Sequence, residues 1–295
     1  MTTNSRQAAL VRAMPVVFVL IWSTGFIVAR FGMPHSPPMK FLALRYFFSV
    51  LCFAVWALAA RVSMPASRAQ AGHLAVTGIL IHAGYLGGVW GAVKLGMGAG
   101  LAALLVGLQP VLTAVWVSAR GGSVTLRQWA GLTLGFAGLG LVVWQKLGIG
   151  EISRINVGFA IFALLSITAG TLYQKRFLQP CDVRSASLVQ LCAAFVVTLP
   201  LALMETEGID WTGQMIGAMA WSVLALTLGG SSLLYLLIQR GAATAVTSLL
   251  YLVPPCTALM AAALFGEAIT AFTIAGMALT AVGVSLVVRA PTPRG

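Results

Sequence analysis

Residues 94–143 read KLGMGAGLAALLVGLQPVLTAVWVSARGGSVTLRQWAGLTLGFAGLGLVV, and residues 239–288 read QRGAATAVTSLLYLVPPCTALMAAALFGEAITAFTIAGMALTAVGVSLVV. Laid over one another without a gap, at an offset of 145 residues, the two stretches share 13 identities in 50 positions. The matches include Gly96 with Gly241, Pro110 with Pro255, Gly121 with Gly266, Thr125 with Thr270, Gly131 with Gly276 and Gly138 with Gly283. Apolar segments match easily by chance, so the constancy of the offset weighs more than the identities. Carried outward, it sets Gly25 on Gly170, Arg30 on Lys175 and Trp90 on Tyr235. The chain reads as two copies of one unit, 1–149 and 150–295.

The composition says in what solvent those copies fold. Apolar residues make up 59% of the 295 positions and charged residues 8%, with a mean hydropathy of +0.96. Soluble domains carry roughly 25% charged residues, so this chain cannot cover a water-facing surface and its solvent is lipid. A net charge of +12 on a soluble protein would suggest nucleic acid. Here the basic residues anchor loops at the membrane face, and no polar segment is long enough to form a binding domain, so nucleic acid is excluded as a partner. Cys52, Cys192 and Cys256 fall in apolar stretches and Cys181 in a short loop. Without CxxC spacing they indicate neither a metal site nor a disulfide framework, and they read as small buried hydrophobes. No cofactor is implied.

Apolar stretches near 20 residues recur at about 11–31, 39–60, 72–94, 99–118, 125–146, 156–176, 184–204, 214–238, 243–264 and 270–289. Each fits a hydrocarbon core of roughly 30 Å at 1.5 Å per residue. The breaks hold Pro34, Pro37, Pro38, Gly121, Gly122, Pro180 and Gly208, the residues that stop helices. The first stretch imitates a signal peptide, but it is long enough to span and has no convincing small-residue cleavage site, so it reads as a retained helix. The expectation is an all-α membrane protein: one polytopic domain of ten transmembrane helices, arranged as two inverted five-helix repeats around a central cavity. Five is odd, so the second copy enters the membrane from the opposite side. Such repeats are typical of transporters, with the substrate near the midplane. With the N-terminus inside, twelve of the eighteen basic residues lie at cytoplasmic helix ends, which places both termini in the cytoplasm.

The run LIWSTGFIVAR at 20–30, the Gln109-Pro110 and Pro254-Pro255 turns and the Gly-rich fifth and tenth segments resemble the drug/metabolite transporter superfamily in its ten-helix, EamA-type branch. The likeness covers essentially the whole chain. Within that branch it looks most like the YddG-type exporters, linked to aromatic amino acids and to the dication methyl viologen. The resemblance implies a basket around a cavity that opens alternately to each side of a bacterial inner membrane. One departure matters. The four-helix multidrug relatives carry a glutamate in the first helix that couples drug to protons, and this first helix has no acid.

Polar residues at membrane depth are functional candidates. His82 lies mid-span and titrates near neutrality when unperturbed; a contact to a neighbouring helix would serve it as well as a substrate would. Tyr85, three residues on, shares its face, and Leu86 and Val89 continue the stripe. Trp22, with Ser23 and Phe26, sits far from the interface that tryptophan prefers and suits an aromatic or flat cationic substrate. The offset partner of Ser23 is Thr168. Gln109 before Pro110, and Tyr251 before Pro254 and Pro255, sit where proline frees a carbonyl. Ser231 is a weaker candidate, with Ser232, Tyr235 and Gln190. Arg45 is expected to snorkel to the outer surface; a substrate carboxylate is its alternative partner. The substrate-binding set is therefore Trp22, Ser23, His82, Tyr85, Gln109, Thr168, Ser231 and Tyr251.

These readings make the chain an exporter of amino acids, broad in specificity and including aromatic ones, with drug cations or another metabolite as the alternative cargo. No HExxH, serine–histidine–acid set or paired carboxylates sit at membrane depth, so an enzyme is not expected. Its partners are the lipid bilayer and a small-molecule substrate. Ten helices can enclose a cavity without a partner subunit, so a monomer is expected.

Overall fold

A computed structural model describes residues 2–65, 67–120, 125–147, 152–230, 233 and 252–288. Among these residues the chain is all helix. Eight helical spans are long and apolar enough to cross a membrane, counting Ala99–Trp116 as one, and two shorter apolar helices follow. The elements are α1 (Thr2–Gly32), α2 (Pro38–Ala59), α3 (Arg68–Lys94), α4 (Ala99–Val106), α5 (Gln109–Ala119), α6 (Leu126–Leu147), α7 (Arg154–Phe177), α8 (Val183–Met204), α9 (Gly213–Gly230), α10 (Val253–Phe265) and α11 (Ala271–Val288). The expected spans 214–238 and 243–264 run partly outside the described residues. The expected span 99–118 is divided into α4 and α5 at Gly107 and Leu108, just before Pro110, whose ring cannot continue the hydrogen-bond ladder.

Polar residues at the breaks start the helices by satisfying orphan amides. Ser67 accepts from the Gln70 amide at 3.1 Å and Thr212 from the Met215 amide at 3.2 Å. Ser153 and Asn156 form a reciprocal capping box before α7. Thr125 and Thr270, matched at the 145-residue offset, accept from the amides three residues on and start α6 and α11. Two helices are capped from a distance. Glu205 takes the Met39 and Lys40 amides at 3.0 and 2.8 Å, and Glu267 takes the Ala99 amide at 2.9 Å. Each puts a carboxylate on the positive end of a helix dipole, α2 and α4 respectively. Gly266 closes α10 at a φ of 68°, a left-handed cap that glycine adopts without strain.

Lipid removes the hydrophobic drive between helices, so close packing holds them together. The tightest seam runs between α6 and α11. A methyl at Gly138 would strike the Gly276 carbonyl, and one at Gly283 would lie 2.6 Å from the Gly135 amide nitrogen. The Thr280 hydroxyl donates to the Gly135 carbonyl at 3.5 Å, across an offset of 145 residues. Gly88 of α3 brings that helix against Phe159 and Ala163 of α7, and Gly78 brings it against the backbone of Gln190 in α8. Large apolar side chains face outward instead, among them Phe162 and Leu165 of α7 and Leu203 of α8. Such a surface would aggregate in water and is the expected one in a bilayer.

Candidate functional site

Among the described residues, four helices wall a cavity with about 620 Å³ of space free of protein atoms, its mouth included. Helix α1 supplies Trp22, Gly25 and Phe26, whose spacing of three and four puts them on one face. Helix α2 supplies Arg45, and α9 supplies Leu226 and Thr227. Helix α3 supplies Ile81, His82, Tyr85, Leu86, Val89 and Trp90. Both α3 and α9 change local geometry here. Residues Ile79–Leu86 of α3 and Ser222–Gly230 of α9 are wound as π-helix, a rare winding that recurs at functional sites. The two segments occupy matching places at the 145-residue offset, so His82 and its partner Thr227 meet at one cavity.

The Tyr46 hydroxyl donates to the His82 carbonyl at 2.7 Å, tying α2 to the π segment. Trp22 leans on Phe18, ring centroids 5.3 Å apart, which fixes the indole as part of the wall.

Arg45 does not snorkel. It is 7% exposed, and its head group faces inward because α9 offers a hydroxyl and α3 an aromatic face. Nε and one terminal nitrogen, Nη2, each donate to the Thr227 hydroxyl at 3.2 Å. Thr227 in turn donates to the Ser222 carbonyl at 2.8 Å, an i→i−5 bond that the π winding allows. The guanidinium carbon lies 5.5 Å from the centre of the Trp90 ring, a cation–π contact. Among the described residues the other terminal nitrogen, Nη1, is buried with no hydrogen-bond partner, and so is the Trp90 indole N–H.

Three of the other proposed site residues lie elsewhere. The Ser23 hydroxyl turns back on the Val19 carbonyl at 2.7 Å, and the Thr168 hydroxyl on the Leu164 carbonyl at 2.6 Å. Gln109 donates to the Thr171 hydroxyl of α7 at 3.0 Å. None of these three lines the cavity. Ser231 and Tyr251 fall outside the described residues. So Trp22, His82 and Tyr85 come together, and Arg45, Trp90 and Thr227 join them. Arg45 carried a signal in the sequence: an arginine two turns inside an apolar span is unusual wherever its head group ends.

A polar cluster closes the end of the bundle where α1 stops and α2 starts. Lys94 donates to the Met33 carbonyl at 3.2 Å and pairs with Glu207 at 2.8 Å. Lys40 also reaches the Glu207 carbonyl, and His35 pairs with Asp210 at 3.4 Å. The hydrogen bond and charge of Lys94 hold the Glu207 carboxyl below its ordinary range. At the opposite end Asp182 is held low by its hydrogen bonds to Arg184.

Comparison with known proteins agrees with this architecture. The EamA-like transporter family matches residues 13–144 and again residues 154–289. This chain belongs to the EamA-like transporter family. It is a multi-pass membrane protein of the transporter kind, within the drug/metabolite transporter superfamily. It is 26% identical over 281 residues to a protein of Salmonella typhimurium described as a probable amino-acid metabolite efflux pump, covering 92% of each chain. It is 25% identical over 256 residues to YedA of Escherichia coli, an uncharacterized inner membrane transporter, covering 85% of this chain and 81% of that one. A solved structure described only as "Crystal structure of protein" superposes with a TM-score of 0.67 at 17% identity, over 92% of this chain and 94% of the other. At that identity it speaks for the fold alone.

Proposed function

We propose that this EamA-family chain exports amino acids, aromatic ones included, across the bacterial inner membrane by alternating access. Its substrate would bind in the cavity between α1, α2, α3 and α9. The observation that carries the reading is the make-up of that cavity, in which Trp22, Phe26 and Tyr85 form an aromatic wall beside the polar groups of Arg45, His82 and Thr227. The efflux-pump description of the Salmonella relative points the same way.

Alternating access rests on ten spans in two inverted five-helix halves, 1–149 and 150–295. Several features support that arrangement. The family matches the chain twice, once in each half. The π segments of α3 and α9 stand at equivalent positions. The seam between α6 and α11 joins Gly138 to Gly276 and Gly131 to Gly283, contacts that exchange with one another under the 145-residue offset. The likeness to YddG-type exporters fits the aromatic wall. Its dication cargo fits less well, because Arg45 places a positive charge in the cavity.

Counterflow in proteoliposomes tests the substrate. Labelled phenylalanine, threonine and methionine are each expected to accumulate saturably against an internal pool. Failure to take up any of the three would refute amino-acid transport. Repeating the assay with an imposed pH gradient, with His82→Ala beside the parent, asks whether His82 carries a proton.

A further inference from the structure

Among the described residues, the cavity leaves two buried hydrogen-bond donors without partners. Arg45 is always charged, and its Nη1 is buried without a partner among the described residues. Trp90 lines the same cavity, stacks under the same guanidinium, and has a buried indole N–H that is equally unpartnered. Buried donors, charged ones above all, are rarely left in this state. Thr227 cannot relieve it. Its hydroxyl already accepts from Arg45 twice and donates to Ser222. No acid among the described residues pairs with Arg45 or lines the cavity.

We infer that the Arg45 head group, with the Trp90 indole N–H, is the binding site for the carboxylate of the transported solute. A carboxylate supplies acceptors for both free donors and a negative charge for the guanidinium. The rest of the cavity does not mirror this on the amino side. With no carboxylate among the described lining residues, an α-ammonium would meet ring faces, hydroxyls and the His82 imidazole but no counter-charge, so the ammonium is dispensable. This deepens the proposed function and rests on the same cavity, but it predicts a different boundary. Aryl-substituted monocarboxylates without an amino group are ligands, and the corresponding amines are not.

The test uses the full-length protein in proteoliposomes and in detergent. Labelled phenylalanine counterflow is challenged with 3-phenylpropionate, which lacks the ammonium, and with phenylethylamine, which lacks the carboxylate. The acid is expected to compete within about tenfold of phenylalanine itself, and the amine to be weaker by about 30-fold or more, as for loss of a buried charge partner. Tryptophan fluorescence in detergent gives a second reading, with 3-phenylpropionate as the titrant. Quenching is expected to saturate in the parent, to need about 30-fold more ligand in Arg45→Gln, and to recover in part in Arg45→Lys.

An amine that competes as well as the acid overturns the inference from the parent protein alone, whether or not the Arg45 variants fold. Undiminished 3-phenylpropionate binding in a folded Arg45→Gln overturns it too. If the parent carries no labelled amino acid yet binds 3-phenylpropionate through Arg45, the amino-acid reading fails and the carboxylate site stands.

Discussion

At the residue scale the molecule turns on a few side chains whose surroundings decide their roles. Arg45 shows this most clearly. Near the membrane face a long cationic side chain ordinarily lifts its charge into water. Here Thr227 gives it an acceptor and Trp90 a ring face, each worth about 1–3 kcal/mol, which holds the head group inside. Ser23 and Thr168 show the reverse. Each hydroxyl bonds to a carbonyl four residues back in its own helix, so neither has a donor left for a substrate. Trp22 belongs to the cavity wall. Trp22→Ala is expected to raise the half-saturating concentration for phenylalanine counterflow about fivefold, the scale of one lost aromatic contact. Threonine should shift less. A uniform loss for both would mean that Trp22 only shapes the helix.

At the element scale the glycines of α6 and α11 set how close the helices come. Gly138 faces the backbone of Gly276, whereas a methyl at Gly140 would meet nothing within 4 Å. Gly138→Val should lower stability by about 1–3 kcal/mol through overpacking, read as a lowered thermal midpoint in detergent. Gly140→Ala should be close to neutral. The loop that follows α8 bears on the same end of the bundle as α2 and α3. Because Lys94 holds the Glu207 carboxyl low in the folded state, the pair stabilises the fold above the ordinary glutamate pKa of about 4.3 and fades as pH falls through the depressed value. The thermal midpoint of the parent should therefore be level from about pH 7 to 5 and drop below about pH 4. Lys94→Met removes the partner, so the variant should lose the Glu207 part of the acid drop and its profile should be flatter below about pH 4. An unchanged acid profile in that variant would show that the pair is structurally idle.

At the scale of the whole molecule, topology follows from counting crossings and from the charge at their ends. The proposed ten spans would return the chain to the side where it began, and the bias of basic residues assigns that side, in this proposal, to the cytoplasm. Fluorescent-protein fusions at either terminus should fluoresce, and alkaline-phosphatase fusions at either terminus should be inactive. Activity at one terminus alone would mean an odd number of crossings. The sequence by itself determined the solvent, the sites of the helices and their breaks, and the offset that relates the halves. Those depend on local hydropathy, proline and glycine, and each is written within about 20 residues of chain. It also put Tyr85 on the face of His82, from their spacing along one span, and Trp22 at mid-depth in the first span. Only the tertiary structure decided where Arg45 points, since its partners Thr227 and Trp90 lie on other helices, 182 residues away in the case of Thr227. Only it revealed the π winding of the two segments that carry His82 and Thr227 at one cavity. It also withdrew Ser23, Thr168 and Gln109 from the cavity, because a hydroxyl or amide takes whichever acceptor packing places nearest. Ser23 and Thr168 find that acceptor one turn back in their own helices, whereas Gln109 finds it on α7, and the order of residues along one helix does not name such a neighbour.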